Sequence, residues 1–305
     1  MRNHIDGRKQ SLWKRIRENK DCYILMFPFM LFFFIFTLLP VIISIILGFT
    51  NYNMLQPPTF AGWSNYIRMF LEDSVFPIAV RNTLIFACIT GPIGYLLCFV
   101  LAWFISDLPR RTRAVATTIF YAPTISGQAY TVWLFLFSSD SYGIINGWLM
   151  KAGIIQDPIA WLADPAYNMK VLIIVQLWLS LGTGFLAFIA GLQGVDRTLF
   201  EAGVIDGISN RFQELWYITL PAMKPQLIFG AVMQLVSSFS VADISIRLCG
   251  FPSTEYSAET IVTHIMDFGT IRYEMGYACA MAAVLFALMV LVNQLINALF
   301  KKIGE

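Results

Sequence analysis

The sequence predicts an all-α integral membrane protein with six transmembrane helices. Three observations carry this prediction. Hydrophobic residues fill 57% of the 305 positions. Charged residues fill only 13%, about half of their usual share in soluble domains. Uncharged apolar runs also recur along the chain, and they approach or exceed the roughly 20 residues that a helix needs to cross a bilayer.

Six such runs are bounded by charged residues. The fifth holds few residues before Asp243, so we expect its helix to continue past this position. The first run is too long for the apolar core of a cleaved signal peptide, and we interpret it as a true span. The runs lie at about 22–48, 81–107, 113–140, 170–196, 224–243 and 274–301.

The connections between the spans divide the chain into one membrane domain with short ends. We expect an amino-terminal arm at 1–21, a six-helix domain at 22–300 and a tail at 301–305. A polar loop at about 196–225 separates the fourth and fifth spans. An even number of spans places both termini on the same side of the bilayer.

The distribution of Lys and Arg predicts which side that is. Of the 21 such residues, fifteen lie on the side of the termini and six on the opposite side. Because basic residues accumulate on the cytoplasmic side, both termini and the loop at 196–225 are predicted to be cytoplasmic, in a multi-pass protein of the cell membrane. The opposite connections are rich in Trp and Tyr, which packing at the membrane interface explains.

The composition argues against several kinds of site. The five cysteines form no C-x-x-C pair, and the two histidines have no metal-ligand spacing, so we predict neither a metal site nor a disulfide framework. No phosphate-binding G-x-x-x-x-G-K-[ST] loop occurs, which places any nucleotide chemistry on another chain. No cofactor is predicted. The net charge of +2 does not indicate nucleic acid as a partner.

The loop at 196–225 reads as two short helices separated by Gly207. The first is expected from about Arg197 to Asp206, and the second from about Ile208 to Leu220, ending at Pro221. Asp196 is a plausible N-cap of the first helix. Gly207 can adopt the positive φ that ends a helix.

The second of these helices is amphipathic. Its predicted apolar face repeats at helical spacing, and its members are Ile208, Phe212, Leu215, Trp216 and Thr219. Such a helix either docks into a groove on a partner or rests on lipid headgroups. The pattern alone leaves both interpretations open.

The same loop resembles the "EAA" loop of the membrane subunits of ABC importers. The family pattern is Glu-Ala-Ala, then a Gly four residues later, then Ile-x-Leu-Pro. This chain departs from it at Gly203, where the family usually has Ala, and we expect a slightly weaker helix there. The matching positions are Glu201, Ala202, Gly203, Asp206, Gly207, Ile218, Leu220 and Pro221.

Other segments extend the resemblance to carbohydrate-importer permeases of the maltose and glycerol-phosphate type. They are "FTNYN", "GWSNYIRMF", "RNTLIF", "WLADP", "GLQGVDRTLFEAGVIDG" and "MGYACA". The likeness is greatest to the first permease of the usual pair, without its large extracellular insert. It implies the transmembrane fold of a type I ABC importer, with the EAA loop as a cytoplasmic coupling helix and no enzymatic activity on this chain. The implied partners are a second homologous permease, two ATPase subunits and an extracellular or periplasmic solute-binding protein.

The resemblance also gives individual residues a role. It implies that Glu201 faces a basic residue of the ATPase. It places a sugar path along the fourth and fifth spans, at positions that match the sugar contacts of the maltose subunit. These candidates are Gln176, Leu179, Ser180, Thr183, Met233, Val236, Ser237 and Ser240.

The spacing of the polar candidates is consistent with such a path. Gln176, Ser180 and Thr183 fall at i, i+4 and i+7, which predicts one shared helical face. Mid-membrane polar groups are costly unless they face a cavity or another helix. Hydrogen bonds between helices are therefore the alternative interpretation. In the third span, "YAPTISGQAY" predicts either a gate or an ordinary kink.

Two other functions remain open at this point. One is an ABC permease for a solute that is not a sugar, such as an amino acid, phosphate or a metal. The other is a self-sufficient secondary transporter. That transporter would need ionisable groups inside the membrane, and the six apolar runs contain none.

Overall fold

The computed structural model describes residues 19–301, and within this range the chain is mostly helical, with loops and one short β-hairpin. Most of the predicted amino-terminal arm and residues 302–305 of the predicted tail lie outside the described residues. Along the chain the elements are α1 (Lys20–Leu47), β1 (Thr50–Asn51), β2 (Thr59–Phe60), α2 (Ser64–Leu71), α3 (Phe76–Ser106), α4 (Arg110–Ile125), α5 (Tyr130–Leu136), α6 (Ile144–Lys151), α7 (Asn168–Leu179), α8 (Thr183–Gly194), α9 (Arg197–Ile205), α10 (211–222), α11 (Lys224–Phe239), α12 (Asp243–Cys249), α13 (Ile261–Ile271) and α14 (Met275–Lys301).

Five of the predicted spans are present as helices long and apolar enough to cross a membrane. They are α1, α3, α7 with α8, α11 with α12, and α14. The third predicted span, at 113–140, is interrupted within the "YAPTISGQAY" stretch, where a gate or a kink was predicted. This run forms α4 and α5, of 16 and 7 residues. The break between them includes Gly127, whose φ of +59° favours glycine and ends the helix.

Two further spans are interrupted near their middle. The fourth breaks at residues 180–182, where Gly182 has φ −98° and ψ −141°. The fifth breaks at residues 240–242 and then resumes as α12. The fifth span therefore continues past Asp243, as predicted, but only after this break. Irregular backbone at membrane depth is tolerated only where it is covered by protein or lines a wet cavity.

Helices α3, α8 and α11 pack together at the centre of the molecule. Small residues bring α8 and α11 close, since a Cβ on Gly184 would lie only 3.5 Å from the backbone of Gly230. Close approach through small residues is typical of membrane helices, where packing rather than water exclusion drives association. Around this contact lies an apolar cluster that includes Phe99, Phe185 and Phe188.

The connection before α14 contains a buried helix. In α13, Ile261 and His264 are buried, and the helix packs against α3 and α14.

Helix α1, in contrast, is largely exposed in the isolated chain. None of its most apolar 18-residue window is buried in the chain, and only its carboxyl-terminal part contacts α14. Its remaining surface is available to lipid or to another subunit.

Candidate coupling segment and translocation path

The coupling segment, residues 196–222, begins with a capped helix. The Oδ1 atom of Asp196 accepts a hydrogen bond from the backbone N–H of Thr198 at 3.0 Å, as expected for an N-cap. This bond lowers the pKa of the Asp196 carboxyl. Helix α9 ends at Ile205, and Gly207 follows with φ +90°, the left-handed conformation predicted for it.

The second helix of the segment differs from its predicted bounds at both ends. It begins at Arg211 instead of Ile208, because the side chain of Asn210 accepts a hydrogen bond from the N–H of Phe212 at 2.6 Å and caps the helix there. It also passes through Pro221 to Ala222. Pro221 stands in the first turn after a π-helical stretch, a position at which a missing N–H is tolerated.

Gly203 lies where the two helices of the segment touch. It is buried, and a Cβ at this position would lie 2.6 Å from Cδ1 of Ile218 and 3.2 Å from Cδ1 of Ile208. The departure from the family's usual Ala therefore permits close packing of α9 against α10. Sequence analysis foresaw only its effect on helix propensity.

The segment exposes an apolar surface. The predicted apolar face of α10 is divided, because Leu215 and Thr219 turn inward while Phe212 and Trp216 remain about two-thirds exposed. The exposed side chains Val204, Ile205 and Tyr217 add to the same segment. A cluster of exposed large apolar side chains marks an interaction site more often than a bare surface.

Acidic and basic side chains border this surface. Glu201, Ala202, Asp206 and Gly207 are exposed. Glu201 lines a cavity of about 550 Å³ together with Arg113, Arg197 and Arg211. Leu220 is half-buried and packs with Leu215 against the central apolar cluster, and Pro221 is exposed. Glu201, Ala202, Asp206, Gly207 and Pro221 are thus exposed, whereas Gly203 is buried and Leu220 is half-buried.

The candidate path residues are not arranged as predicted. Gln176, Ser180 and Thr183 do not share one helical face, because α7 ends at Leu179 and α8 begins at Thr183. Ser240 likewise lies beyond the end of α11, with φ −95° and ψ 23°. The backbone breaks, rather than a regular helical repeat, decide where these side chains point.

The eight candidates separate by exposure. The two buried ones are Gln176 and Ser180, and the two half-buried ones are Leu179 and Met233. The four exposed ones are Thr183, Val236, Ser237 and Ser240. The Nε2 atom of Gln176 donates a hydrogen bond to the Oγ of Ser237 at 3.0 Å, so it joins α7 to α11. This bond is the interhelical contact that the alternative interpretation predicted for Gln176.

The break between α7 and α8 is held by residues that sequence analysis did not single out. The hydroxyl of Thr124 lies 3.3 Å from the Leu179 carbonyl and 3.1 Å from the Leu181 carbonyl, and it can donate to one of them at a time. The Sγ of Cys98 donates to the Ser180 carbonyl at 3.2 Å. Thr124 lies in the last turn of α4, within the "YAPTISGQAY" stretch, and this is the only signal in the sequence for its role.

A second buried polar contact joins α11 to α3. The buried amide of Gln234 donates a hydrogen bond to the carbonyl of Thr90 at 3.1 Å. Gly94 makes room for it, because a Cβ there would lie 2.3 Å from Nε2 of Gln234. The contact fixes α11 on α3 beside the candidate path.

A buried polar cluster holds the other end of the molecule together. The Oδ2 atom of Asp73 lies 2.8 Å from Nε2 of His264 and accepts a hydrogen bond from the Tyr277 hydroxyl at 2.7 Å. Its Oδ1 atom accepts from the N–H groups that begin α3. Beside it, Arg68 is paired with Glu274 and lies over the Tyr277 ring. These contacts connect α2, α3, α13 and α14.

Comparison with known proteins gives this geometry a context. Residues 92–305 match the model of the family described as "Binding-protein-dependent transport system inner membrane component". The chain is 30% identical to the probable ABC transporter permease protein YesP of Bacillus subtilis, over 98% of this chain and 95% of that protein. It is 31% identical to the lactose transport system permease protein LacF of Rhizobium radiobacter, over 68% and 69% of the two chains.

A solved structure is similar over the same length. A chain of a bacterial ABC transporter involved in the import of the acidic polysaccharide alginate has a TM-score of 0.76 and 25% identity, and the match covers 96% of this chain and 99% of that one. The fold is therefore that of a type I ABC importer permease. On the extent of the family match, the chain belongs to the inner membrane components of binding-protein-dependent transport systems.

Proposed function

We propose that this permease, paired with a second homologous permease, forms the path of a carbohydrate across the cell membrane. Two ATPase subunits drive the transport, and an extracellular or periplasmic binding protein supplies the solute. The names of the relatives support the substrate class, since they include permeases for lactose and for arabinooligosaccharides. ATP hydrolysis takes place on the ATPase subunits, and this chain contributes the path and the coupling surface.

The observation that carries the proposal is the exposed surface of the coupling segment. Glu201 and Asp206 lie beside exposed aromatic and aliphatic side chains on two capped helices. A helix in lipid headgroups would favour basic residues on its polar face, whereas residues 196–222 hold four acidic residues and only two basic ones. An apolar surface with an excess of acidic residues around it fits a protein groove that carries a basic residue.

The proposal assigns a side of the membrane to each end of the molecule. Residues 1–21, the coupling segment and residues 301–305 are cytoplasmic, as the excess of Lys and Arg indicates. In a cysteine-free background, a cysteine at Ile205 is expected to react with a membrane-impermeant maleimide only in inside-out vesicles. A cysteine at Tyr142, equally exposed in the connection before α6, serves as the control and reacts in intact cells. Labelling of Ile205→Cys in intact cells would overturn the orientation.

The path itself is proposed to run along the broken spans. Thr183 on α8, Ser237 on α11 and Ser240 directly after α11 are exposed and carry hydroxyls. Hydroxyls both donate and accept hydrogen bonds, as desolvated sugar hydroxyls require. Val236, Leu179 and Met233 provide apolar surface for the face of a sugar ring. The broken backbone supplies further polar groups at the same depth.

The role of Glu201 gives the sharpest test of coupling. Ala is a good helix former, so Glu201→Ala is not expected to unfold α9. An exposed ion pair contributes only about 0–1 kcal/mol, so a strong effect requires that Glu201 is enclosed by the ATPase. We expect Glu201→Ala to weaken ATPase binding or to lower transport per ATP hydrolysed. Glu255→Ala, on the turn before α13, is the matched control. Normal assembly and normal transport in Glu201→Ala would contradict the assignment.

A permease for a solute other than a sugar is the second candidate, because the path candidates are uncharged polar groups that other neutral solutes could also use. The binding protein that co-purifies with the complex decides between them. We expect its bound ligand, identified by mass spectrometry, to be a mono- or oligosaccharide. An amino acid, an inorganic anion or a metal in its place would refute the carbohydrate assignment and leave the permease assignment intact.

A further inference from the structure

Besides the packing of Leu215 and Leu220 on the central apolar cluster, the coupling segment contacts α3 through a set of charged and aromatic side chains. The guanidinium of Arg211 is paired with the carboxylate of Asp107, the residue that ends α3, although the two are 104 residues apart in sequence. The same guanidinium lies 5.4 Å from the centre of the Trp103 ring. The Phe212 ring packs on Trp103 at 5.6 Å between centroids. We name this set the α3 clamp: Trp103, Asp107, Arg211 and Phe212.

The α3 clamp links two parts of the chain that are not consecutive in sequence. The coupling segment is covalently continuous with α8 before it and α11 after it. Helix α3 has no such connection. The cavity of about 550 Å³ lies between the segment and the end of α3, and its lining includes Trp103, Asp107 and Arg211. The clamp thus bridges α3 and the amino-terminal end of α10 at the edge of this gap.

The backbone from which Arg211 extends is held by a helix cap. Asn210 caps α10 one residue before Arg211, and this cap sets the direction in which Arg211 leaves the helix. The planar guanidinium pairs with a carboxylate and stacks on an aromatic ring at the same time, a combination that Lys does not reproduce. A push on the exposed face of α10 therefore reaches the end of α3 without passing through a flexible linker.

Movement of α3 would extend to the broken spans. The Nη1 atom of Arg113, in the first turn of α4, donates a hydrogen bond to the carbonyl of Ser106 at 3.2 Å. At the other end of α4, Thr124 contacts the carbonyls on both sides of the α7–α8 break. The contacts from Arg211 to Thr124 form a continuous physical route, which is a requirement for coupling but not yet a measurement of it.

We propose that the α3 clamp transmits the movement of the coupling segment to α3, so that Arg211, Asp107 and Trp103 are positioning residues for coupling. This proposal rests on the proposed function, in which the segment docks on an ATPase. Both clamp charges are about half exposed, with side-chain exposures of 55% for Arg211 and 43% for Asp107. Pairs this exposed contribute little to folding stability, so the loss of the clamp should change the movement of α3 and leave assembly intact.

The test uses the purified complex of both permeases and the ATPase subunits in nanodiscs. Spin labels are placed at Leu96 on α3 and at Gln213 on α10, two exposed positions outside the apolar docking surface, in a cysteine-free background. Their distance is measured without nucleotide and with ATP and vanadate. The variants are Asp107→Arg, Arg211→Asp and the charge-swapped double variant. Arg197→Gln, which changes a charge in the same segment outside the clamp, is the control.

We expect the unsubstituted complex and the control to keep one narrow distance in both nucleotide states. Each single reversal should broaden or shift the distance when ATP and vanadate are bound, and the double swap should restore it. Transport-coupled ATPase activity should fall at least about fivefold in the single variants, the lower end of a typical coupling free energy. An unchanged distance in the single variants would overturn the proposal. Single variants that fail to assemble would also overturn it, since the pair would then be a structural contact.

The same experiment separates the two hypotheses. If no ATPase co-purifies with the unsubstituted chain, the docking function fails before the clamp is tested. If the ATPase binds and the clamp variants show the same distances and ATPase activity as the unsubstituted complex, the docking function stands and the clamp hypothesis fails.

Discussion

The buried amide of Gln176 links two helices, because Gln176 lies on α7 and donates a hydrogen bond to Ser237 on α11. Gln176→Leu should leave the complex assembled, since a single hydrogen bond between protein groups contributes only about 0.5–1.5 kcal/mol. We expect transport to fall about tenfold or more, because the loss of about 1.4 kcal/mol of substrate binding is a factor of ten.

Gln234→Leu is the matched control for Gln176→Leu, because it removes another buried amide that hydrogen-bonds a neighbouring helix, at a residue outside the candidate path. If Gln176 only joins the helices, both variants should show equal losses in thermal stability and equal transport. A larger transport defect in Gln176→Leu, in a stable complex, assigns the amide to the substrate. Transport at the unsubstituted rate would place the sugar site elsewhere, for instance on the second permease.

Asp73 offers a prediction about pH. Burial raises the pKa of its carboxyl, but hydrogen bonds from His264, Tyr277 and the N–H of Phe76 outweigh burial, and the pKa lies below its usual 3.8. A lowered pKa stabilises the folded state above the ordinary pKa, and this stabilisation is lost as pH falls through the folded-state value. Each bond to the charged carboxylate contributes about 1.5–3 kcal/mol.

We therefore expect Asp73→Asn to lower the thermal stability of the purified permease at neutral pH. The difference between Asp73→Asn and the unsubstituted chain should stay constant down to about pH 4 and shrink below it, since protonation then removes the same charge from the native chain. Asp157→Asn, at an exposed position, is the control. A difference that grows as the pH falls would contradict the assignment.

The conformations of some single residues could be predicted from the sequence, whereas the contacts of others could not. Asp196 and Gly207 were predictable, because an N-cap and a positive φ depend on local backbone geometry. The close contact of Gly203 with Ile218 was not, since it depends on how two helices cross. Thr124 was missed for the same reason, because its partners are carbonyls that a distant break sets free.

The turn at Gly207 joins the two helices of the coupling segment, and its role can be tested by comparing substitutions at Gly207 and at Gly194. A Cβ on Gly207 or on Gly194 would meet nothing within 4 Å, but only Gly207 has a positive φ, of +90°. Left-handed backbone costs an L-residue about 1–2 kcal/mol. We expect Gly207→Ala to weaken ATPase association, whereas Gly194→Ala, in α8, should leave it unchanged or slightly improved. Equal effects of the two substitutions on ATPase pull-down would refute a role for the turn.

The spans illustrate what hydrophobic patterning can predict. The number of apolar runs follows from the positions of the charged residues that bound them, and five of the six form helices long enough to cross a membrane. The breaks at residues 180–182 and 240–242 were not foreseen. Neither contains a proline, and Gly182 is the only helix breaker in them. Their geometry depends on partners such as Thr124 and Cys98, which supply hydrogen bonds that the helix would otherwise make. The face predicted for Gln176, Ser180 and Thr183 failed for this reason.

The isolated chain leaves much apolar surface uncovered. Helix α1 buries none of its most apolar window, and the coupling segment exposes Phe212, Trp216 and Tyr217. The first surface suits lipid or another subunit, and the second surface lies on a polar loop, where we propose that an ATPase subunit covers it. These two surfaces agree with a subunit that functions only within a larger complex, as the family match indicates.

This dependence gives the last prediction, which separates the proposed importer from a secondary transporter. A secondary transporter must bind a coupling ion, which calls for ionisable groups inside the membrane. In the described part of the chain, each of the five spanning windows holds at most two charged residues. Proteoliposomes are prepared with both permeases, with and without the ATPase subunits, and loaded with ATP. The binding protein is added outside with tritiated lactose or arabinotriose.

Uptake of at least one of these sugars is expected only when both the ATPase and ATP are present, and Glu201→Ala should lower it. A proton or sodium gradient imposed without the ATPase should produce none. Gradient-driven uptake in the absence of the ATPase would refute the importer mechanism and favour the secondary transporter. Uptake that requires ATP but accepts neither sugar would keep the mechanism and limit the error to the choice of carbohydrate.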